Sequence, residues 1–374
     1  MKEWNGKLNQ AELYQLDHWY PPEKVLLFDI ETTGFSPENT LLYMIGVCFF
    51  QENHWHYRIL FNDDGRSEHQ LLHTFLGLLQ HDSVLIHFNG EGFDLPYLIE
   101  KCRQYQTLGI PLPGMERLTS LESVDLYKCI RTYKHGLGLS NLKLTTIEAA
   151  MQLSRRDTHS GGELIAVYRD FLKEPEPFRE KLLFQHNYED ILAMIPLLQL
   201  LHFRGIREHA WELVKTTITE SQIQLILHLD YPLPLRYITS NSYCDFNGYE
   251  DQAVITIPVL KEEMKYFLSN WKEYYYLPLE DTIIHKSVAS YVDSAYKEKA
   301  KKSNCFLKKE DSFFPCPSMG SMSDIRLYQR TYKDVLSFAA LSELPSDASN
   351  FWINYLNYVL DKSKPQPQAT GHQT

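Results

Sequence analysis

The sequence predicts an α/β fold: a mixed central sheet flanked by helices, with an additional C-terminal α+β region. Three observations carry this. Apolar runs of strand length recur early in the chain with short connections between them. Helical periodicity then alternates with two further strands. Beyond about residue 206 the texture changes to strand-like runs set among aromatics.

The first strand opens with Val25-Leu26-Leu27-Phe28 and runs into Asp29-Ile30-Glu31. Its unbroken apolar start reads as buried. Leu42–Phe50 and His54–Phe61 are a second and third strand, joined by Gln51-Glu52-Asn53 as a hairpin connection. Short connections make this opening meander antiparallel. Ser67–Leu79 carries Leu71, Leu72, Phe75, Leu78 and Leu79 on one helical face. Ser83–Phe88 is a fourth strand, followed by a glycine-containing turn, Asn89–Asp94. The helix from Leu95 to Tyr105 holds Pro96 in its first turn, where proline is tolerated. Ser123–Tyr127 is a short fifth strand. From Leu142 the chain turns helical, with Ser140 or Asn141 as a cap, a polar turn from Arg155 to Gly162 and a helix over Ala166–Leu172. Pro177–Phe203 reads as one or two helices, kinked or jointed at Pro196.

These elements divide the chain. Residues 1–23 are a lead-in with a short helix over Asn9–His18, stopped by Pro21 and Pro22. Residues 24–205 form the main domain. Residues 206–362 form an accessory region without an assignable motif. It has strands at Ile223–Leu229, Arg236–Thr239 and Ala253–Val259 and helices over Thr282–Lys302 and Asn350–Leu360. Residues 363–374 are a polar, proline-containing tail expected to be disordered.

Composition removes several classes of function. The formal net charge of −11 argues against nonspecific coating of long nucleic acid, which rests on phosphate neutralisation by Lys and Arg. It leaves a nuclease open, because metal-binding carboxylates add negative charge themselves. No apolar run is long enough for a membrane helix, and the start lacks the apolar core of a secretory signal. The six scattered cysteines contain no C-x-x-C pair, so a zinc ribbon and a dithiol redox motif are both absent. Reduced thiols in a cytoplasmic protein are the expectation.

The chemistry concentrates on a few acids. Asp29 and Glu31 are spaced by two, so on a strand their side chains point the same way. Two ionised carboxylates beside an apolar strand are costly unless paired. A hard divalent cation with oxygen ligands removes that repulsion. Asp94 closes the turn after the fourth strand, and His186 and Asp190 share a helical face one turn apart. Taken singly, each has a plain structural reading as a solvated strand end, a turn residue or a buried helix residue.

Together they resemble the DEDD exonucleases of the ribonuclease H-like superfamily. The three motifs are matched in order by Asp29-Ile30-Glu31-Thr32-Thr33-Gly34, by Asn89-Gly90-Glu91-Gly92-Phe93-Asp94-Leu95-Pro96-Tyr97-Leu98 and by His186-Asn187-Tyr188-Glu189-Asp190. More narrowly, about residues 24–203 resemble the YprB-type ribonuclease H-like proteins. Asp125-Leu126, Leu144-Thr145-Thr146-Ile147-Glu148 and Gly161-Gly162-Glu163 also match that family. The resemblance implies a ribonuclease H-like sheet in residues 24–205 and a metal-dependent 3′–5′ exonuclease. Its substrate would be single-stranded DNA or RNA, or short oligonucleotides.

It further implies two Mg²⁺ or Mn²⁺ ions on Asp29, Glu31, Asp94 and Asp190, with His186 as a candidate to orient or deprotonate water. The third motif departs from the pattern. Well-studied relatives place Tyr four residues before the last Asp or His five before it, whereas this chain has His186 at four and Gln185 at five. Thr32, Asn89 and Phe93 are the candidate substrate contacts. Asp125 is a candidate helix cap, and the lysines from 297 to 309 are the main basic patch outside the domain. Two alternatives stand beside the exonuclease: a catalytically silent nucleic-acid-binding or scaffold protein, and a structure-specific endonuclease.

Overall fold

The computed structural model describes residues 1–8, 19–319 and 325–361. The helix read at Asn9–His18 and the tail read at 363–374 lie outside the described residues. The chain divides into two compact units, Met1–Phe203 and Arg204–Thr374.

The first unit is built on a mixed six-stranded sheet, β1 (Lys2–Lys7), β2 (Val25–Thr32), β3 (Leu42–Gln51), β4 (His54–Phe61), β5 (Val84–His87) and β6 (Glu122–Asp125). Their spatial order is β1-β4-β3-β2-β5-β6. The meander β2-β3-β4 is antiparallel, as the short connections require, and β5 and β6 join it in parallel. The residues expected to be a lead-in contain the edge strand β1, antiparallel to β4 from Lys2↔Phe61 to Lys7↔His56. Their polar character suits an edge, where only one side of the strand pairs.

Among the described residues seven α-helices accompany this sheet: α1 (Glu68–Leu78), α2 (Asp94–Thr107), α3 (Arg117–Ser120), α4 (Leu126–Arg131), α5 (Leu144–Ala150), α6 (Gly161–Lys173) and α7 (Pro177–Leu197). Leu71, Leu72, Phe75 and Leu76 of α1 join Leu95, Leu98 and Cys102 of α2 and the apolar side chains of β2 and β5 in one buried cluster. Asp125 caps α4, its carboxylate accepting from the Tyr127 amide at 3.0 Å. Ser160 and Glu163 close a reciprocal capping box on α6. Helix α7 packs on β2 and β3. It begins with Pro177 in its first turn and gives way to a 3₁₀ segment just after Pro196.

After α8 (Phe203–Arg207), the second unit is mainly antiparallel. Its strands are β7 (Trp211–Ile218), β8 (Gln222–Ser240), β9 (Asp245–Pro258), β10 (Leu260–Phe267), β11 (Tyr274–Leu277), β12 (Thr282–His285), β13 (Glu298–Lys299), β14 (Phe306–Pro315) and β15 (Phe338–Ala340). They form three sheets, ordered β7-β8-β9, β10-β14-β15 and β12-β11-β13. The two strands expected at 223–229 and 236–239 are one, β8. Its pairing with β9 is irregular around Leu233, between Pro232 and Pro234, whose missing amides break the ladder.

The helix expected over Thr282–Lys302 is absent. Ile283 and Ile284 pair with the tyrosines of β11, and only the four-residue α9 (Lys286–Ala289) and a 3₁₀ turn at Ser294–Tyr296 are helical. No apolar stripe of helical period runs through that stretch to hold a longer helix. Helix α10 (Ser349–Val359) buries Trp352 and Tyr355 beside Phe314.

Candidate active site

Strand β2 presents Asp29 and Glu31 toward α7. Asp29 lies opposite Gly46 of β3, and this glycine sets how closely α7 approaches. A Cβ at Gly46 would collide with the Asn187 amide and come within 2.8 Å of Ile191. A β-bulge follows at Glu31 and Thr32, beside Tyr43, whose hydroxyl donates to Glu31 Oε2 at 3.2 Å.

Asp94 opens α2, the first helix after β5. Its carboxylate accepts from the Ile30 amide at 3.2 Å, on the same strand as Asp29 and Glu31. Asp190 lies in the interior of α7. The same helix aims Asn187 at Asp29, with Nδ2 donating to Oδ2 at 2.9 Å. His186, one turn before Asp190, places Nε2 3.3 Å from Glu31 Oε1 and 3.5 Å from Asp190 Oδ2. Thus Glu31, His186 and Asp190 bring three potential ligand atoms within 4.8 Å of one another.

The carboxylates repel. Burial, and then the charges of Asp190, Asp94 and Glu31, hold Asp29 well above the usual carboxylate range. Burial pushes Asp94 up to about 7, against the pull of the Ile30 amide. Burial likewise pushes Asp190 up to about 6, although His186 and Arg155 pull it back. Burial disfavours the charged His186 ring, but Glu31, Asp190 and Asp157 outweigh it and lift the imidazole to about 9.

Further residues complete the surroundings. Arg155 Nη1 lies 2.6 Å from Asp190 Oδ1 and 3.2 Å from Glu148 Oε1, while Nη2 lies 3.2 Å from Asp157 Oδ2. Asp157 Oδ2 also lies 2.6 Å from His186 Nδ1. Burial works against the Asp157 anion, yet hydrogen bonds from His186 and His159 keep its carboxyl below the usual range. Glu189 fixes this loop by accepting from the amides of Arg156 at 3.0 Å and Asp157 at 2.8 Å. Sequence reasoning read Arg155–Gly162 as a polar turn and gave Arg155 and Asp157 no role. Glu148 lay in a matched stretch without a function. No regular spacing links these residues to His186, so periodicity carries no signal for them.

Of the candidate substrate residues, Thr32 ends β2 and Asn89 and Phe93 lie on the connection from β5 to α2. Thr32 is nearly buried, and its hydroxyl donates to the Gly34 carbonyl at 2.8 Å. Asn89 has φ +62° and donates its amide to Asp125 Oδ1 at 2.8 Å, which gives both residues a structural task. Phe93 precedes α2, its ring 5.8 Å from Phe35 and 5.5 Å from Tyr97. Phe35 is 89% exposed and had no place in the sequence reading. The basic patch is partly neutralised: Lys308 pairs with Asp281 at 2.7 Å and Lys309 with Glu343 at 2.8 Å.

Residues 26–202 match the family described as the RNase_H superfamily. The chain is similar to the family B DNA polymerase of the hyperthermophilic archaeon Pyrobaculum calidifontis, at 19% identity over 50% of this chain and 25% of that one, TM-score 0.39. It is similar to E. coli exonuclease I in complex with a dT13 oligonucleotide, at 14% identity over 45% of each chain, TM-score 0.27. A further exonuclease I structure aligns at 10% identity over 76% of this chain and 64% of that one, TM-score 0.32. The chain therefore spans between a quarter and just under two thirds of the length of these proteins. No curated protein matches it.

Proposed function

We propose that this chain, whose residues 26–202 match the RNase_H superfamily, is a metal-dependent nuclease. It shortens single-stranded nucleic acid, or short oligonucleotides, from the 3′ end. One observation carries the reading. Asp29, Glu31, Asp94 and Asp190 converge, and their repulsion and burial disfavour ionisation of Asp29, Asp94 and Asp190. The donors aimed at Asp29 and Asp94, the Asn187 amide and the Ile30 N–H, are neutral and do not balance that charge. This donor set, all oxygen on the Asp29 and Asp94 side, fits hard divalent cations such as Mg²⁺ or Mn²⁺.

Asp29, Glu31, Asp94 and Asp190 are the residues that would hold the ions. Bound there, the ions supply a polarised phosphoryl group, a more acidic water and a stabilised leaving oxygen. The chain's own residues supply position. The Asn187 amide fixes the rotamer of Asp29, and the Ile30 amide fixes Asp94 at the mouth of α2. Phe93 and the exposed Phe35 offer aromatic faces for stacking a terminal base. Thr32 at the end of β2 and Asn89 on the connection that follows β5 are candidates to meet sugar and phosphate.

The test uses 5′-labelled single-stranded DNA and RNA with Mg²⁺, Mn²⁺ or EDTA. Stepwise, metal-dependent shortening that disappears in Asp190→Ala, with the fold retained, supports the reading. Products that begin at internal positions replace it with an endonuclease. No cleavage of strands, hybrids or short oligonucleotides, in a protein that divalent cations still stabilise, replaces it with a binding or scaffold role.

A further inference from the structure

His186 stands where the DEDD pattern places its general base, and its surroundings give it a different task. A general base must reach a water beyond the ligands, at hydrogen-bond distance from the proton it removes. His186 Nε2 instead lies between two expected ligands, 3.3 Å from Glu31 Oε1 and 3.5 Å from Asp190 Oδ2. Its other nitrogen, Nδ1, lies 2.6 Å from Asp157 Oδ2. When a cation displaces the Nε2 proton, that contact keeps the remaining proton on Nδ1 and leaves the Nε2 lone pair facing Glu31 and Asp190. A ligating histidine is typically held in this way, its second nitrogen donating to a carboxylate that fixes both tautomer and ring orientation.

Asp157 is itself fixed. Arg155 Nη2 contacts the same oxygen at 3.2 Å, and His159 and its own amide occupy the other oxygen at 2.9 and 3.1 Å. Arg155 Nη1 takes Asp190 Oδ1 and leaves Oδ2 on the side of the imidazole.

We infer that His186 is a metal ligand. With Glu31 and Asp190 it forms a mixed nitrogen and oxygen site, and Asp157 is its positioning residue. An imidazole favours later first-row ions, whereas carboxylates alone suit Mg²⁺. The site therefore favours Co²⁺ or Zn²⁺ over Mg²⁺. This rests on the cation centre of the proposed nuclease, but it needs no turnover.

Full-length protein, freed of metal and without nucleic acid, is titrated calorimetrically with Co²⁺ alone and with Mg²⁺ alone, and the visible spectrum of the Co²⁺ form is recorded. The wild type is expected to bind Co²⁺ much more tightly than Mg²⁺. His186→Asn should lose most of that preference and shift the Co²⁺ spectrum, while Mg²⁺ affinity moves far less. Asp157→Asn should weaken Co²⁺ binding by about 10- to 100-fold, the range for a carboxylate behind a ligating histidine. Wild-type Co²⁺ affinity and spectrum in folded His186→Asn would overturn the inference and return His186 to a base or a structural residue. If His186→Asn fails to fold, an Asp157→Asn protein with unchanged Co²⁺ affinity overturns it equally. Nuclease failure reads out separately: a chain that binds Co²⁺ through His186 yet cleaves nothing sinks the proposed function and leaves this site standing.

Discussion

The two sides of the acidic centre solve one problem in opposite ways. On one side, Asp29 and Asp94 are buried among like charges and met by neutral donors, the Asn187 amide and the Ile30 N–H. On the other side, Asp190 and Asp157 face protein cations, Arg155 and the His186 ring. In the metal-free chain the second side is compensated by the protein's own cations, and the first leaves charge for something external to neutralise. Where a chain buries acids without cations, it spends stability to keep a place for one.

The largest expected effect breaks the first side. Asp29→Asn should reduce cleavage by at least about 1,000-fold, the scale of several kcal/mol of lost charge stabilisation at phosphorus. Without metal the same change should raise the melting temperature, because it removes a buried repulsion; an unchanged or lower melting point would erase the contrast between the sides. Breaking the second side should act the other way. Arg155→Met strips the cation from Glu148, Asp157 and Asp190 and should cost about 3–5 kcal/mol in urea unfolding, as breaking a buried pair does.

Acidity sharpens the same comparison. Asp29, Asp94 and Asp190 have folded values raised above the unfolded carboxylate near 3.8. The native state therefore holds protons that the unfolded chain has released. Their contribution to stability is present below about pH 4 and is lost as pH rises through about 6 and 7. His186, raised to about 9, stays charged across that window. In EDTA, stability should fall by on the order of 1–3 kcal/mol between pH 5 and 8. Mg²⁺ or Mn²⁺ should restore it most at the higher pH. The smallest effect tests geometry: Gly46→Ala pushes Asn187 off Asp29 and should cost about 1–3 kcal/mol, with weaker cation binding.

The sequence made legible what repeats or alternates. Asp29 and Glu31 share a face because a strand has period two, and His186 and Asp190 because a helix has period near four. The antiparallel meander followed from short connections, and the mixed sheet from the alternation of helices and strands. The network behind His186 had no such period. Arg155 and Asp157 sit in a turn whose amides are captured by Glu189, and only the folded chain brings that turn to α7. Strand β1 was hidden for a related reason: an exposed edge carries no apolar alternation. The helix expected over 282–302 fails because Ile283 and Ile284 are taken by pairing with β11.

The Asn187 bond to Asp29 joins residues 158 positions apart, and Asp94 must be delivered from between them. Such contacts have a high entropic cost until most of the intervening chain is in place. The centre is therefore a late product of folding, and no fragment that ends before α7 contains it. A nascent chain would display β2 and its acids long before it could grip a cation. Cation affinity, measured during refolding, would thus serve as a clock for completion of the whole first unit.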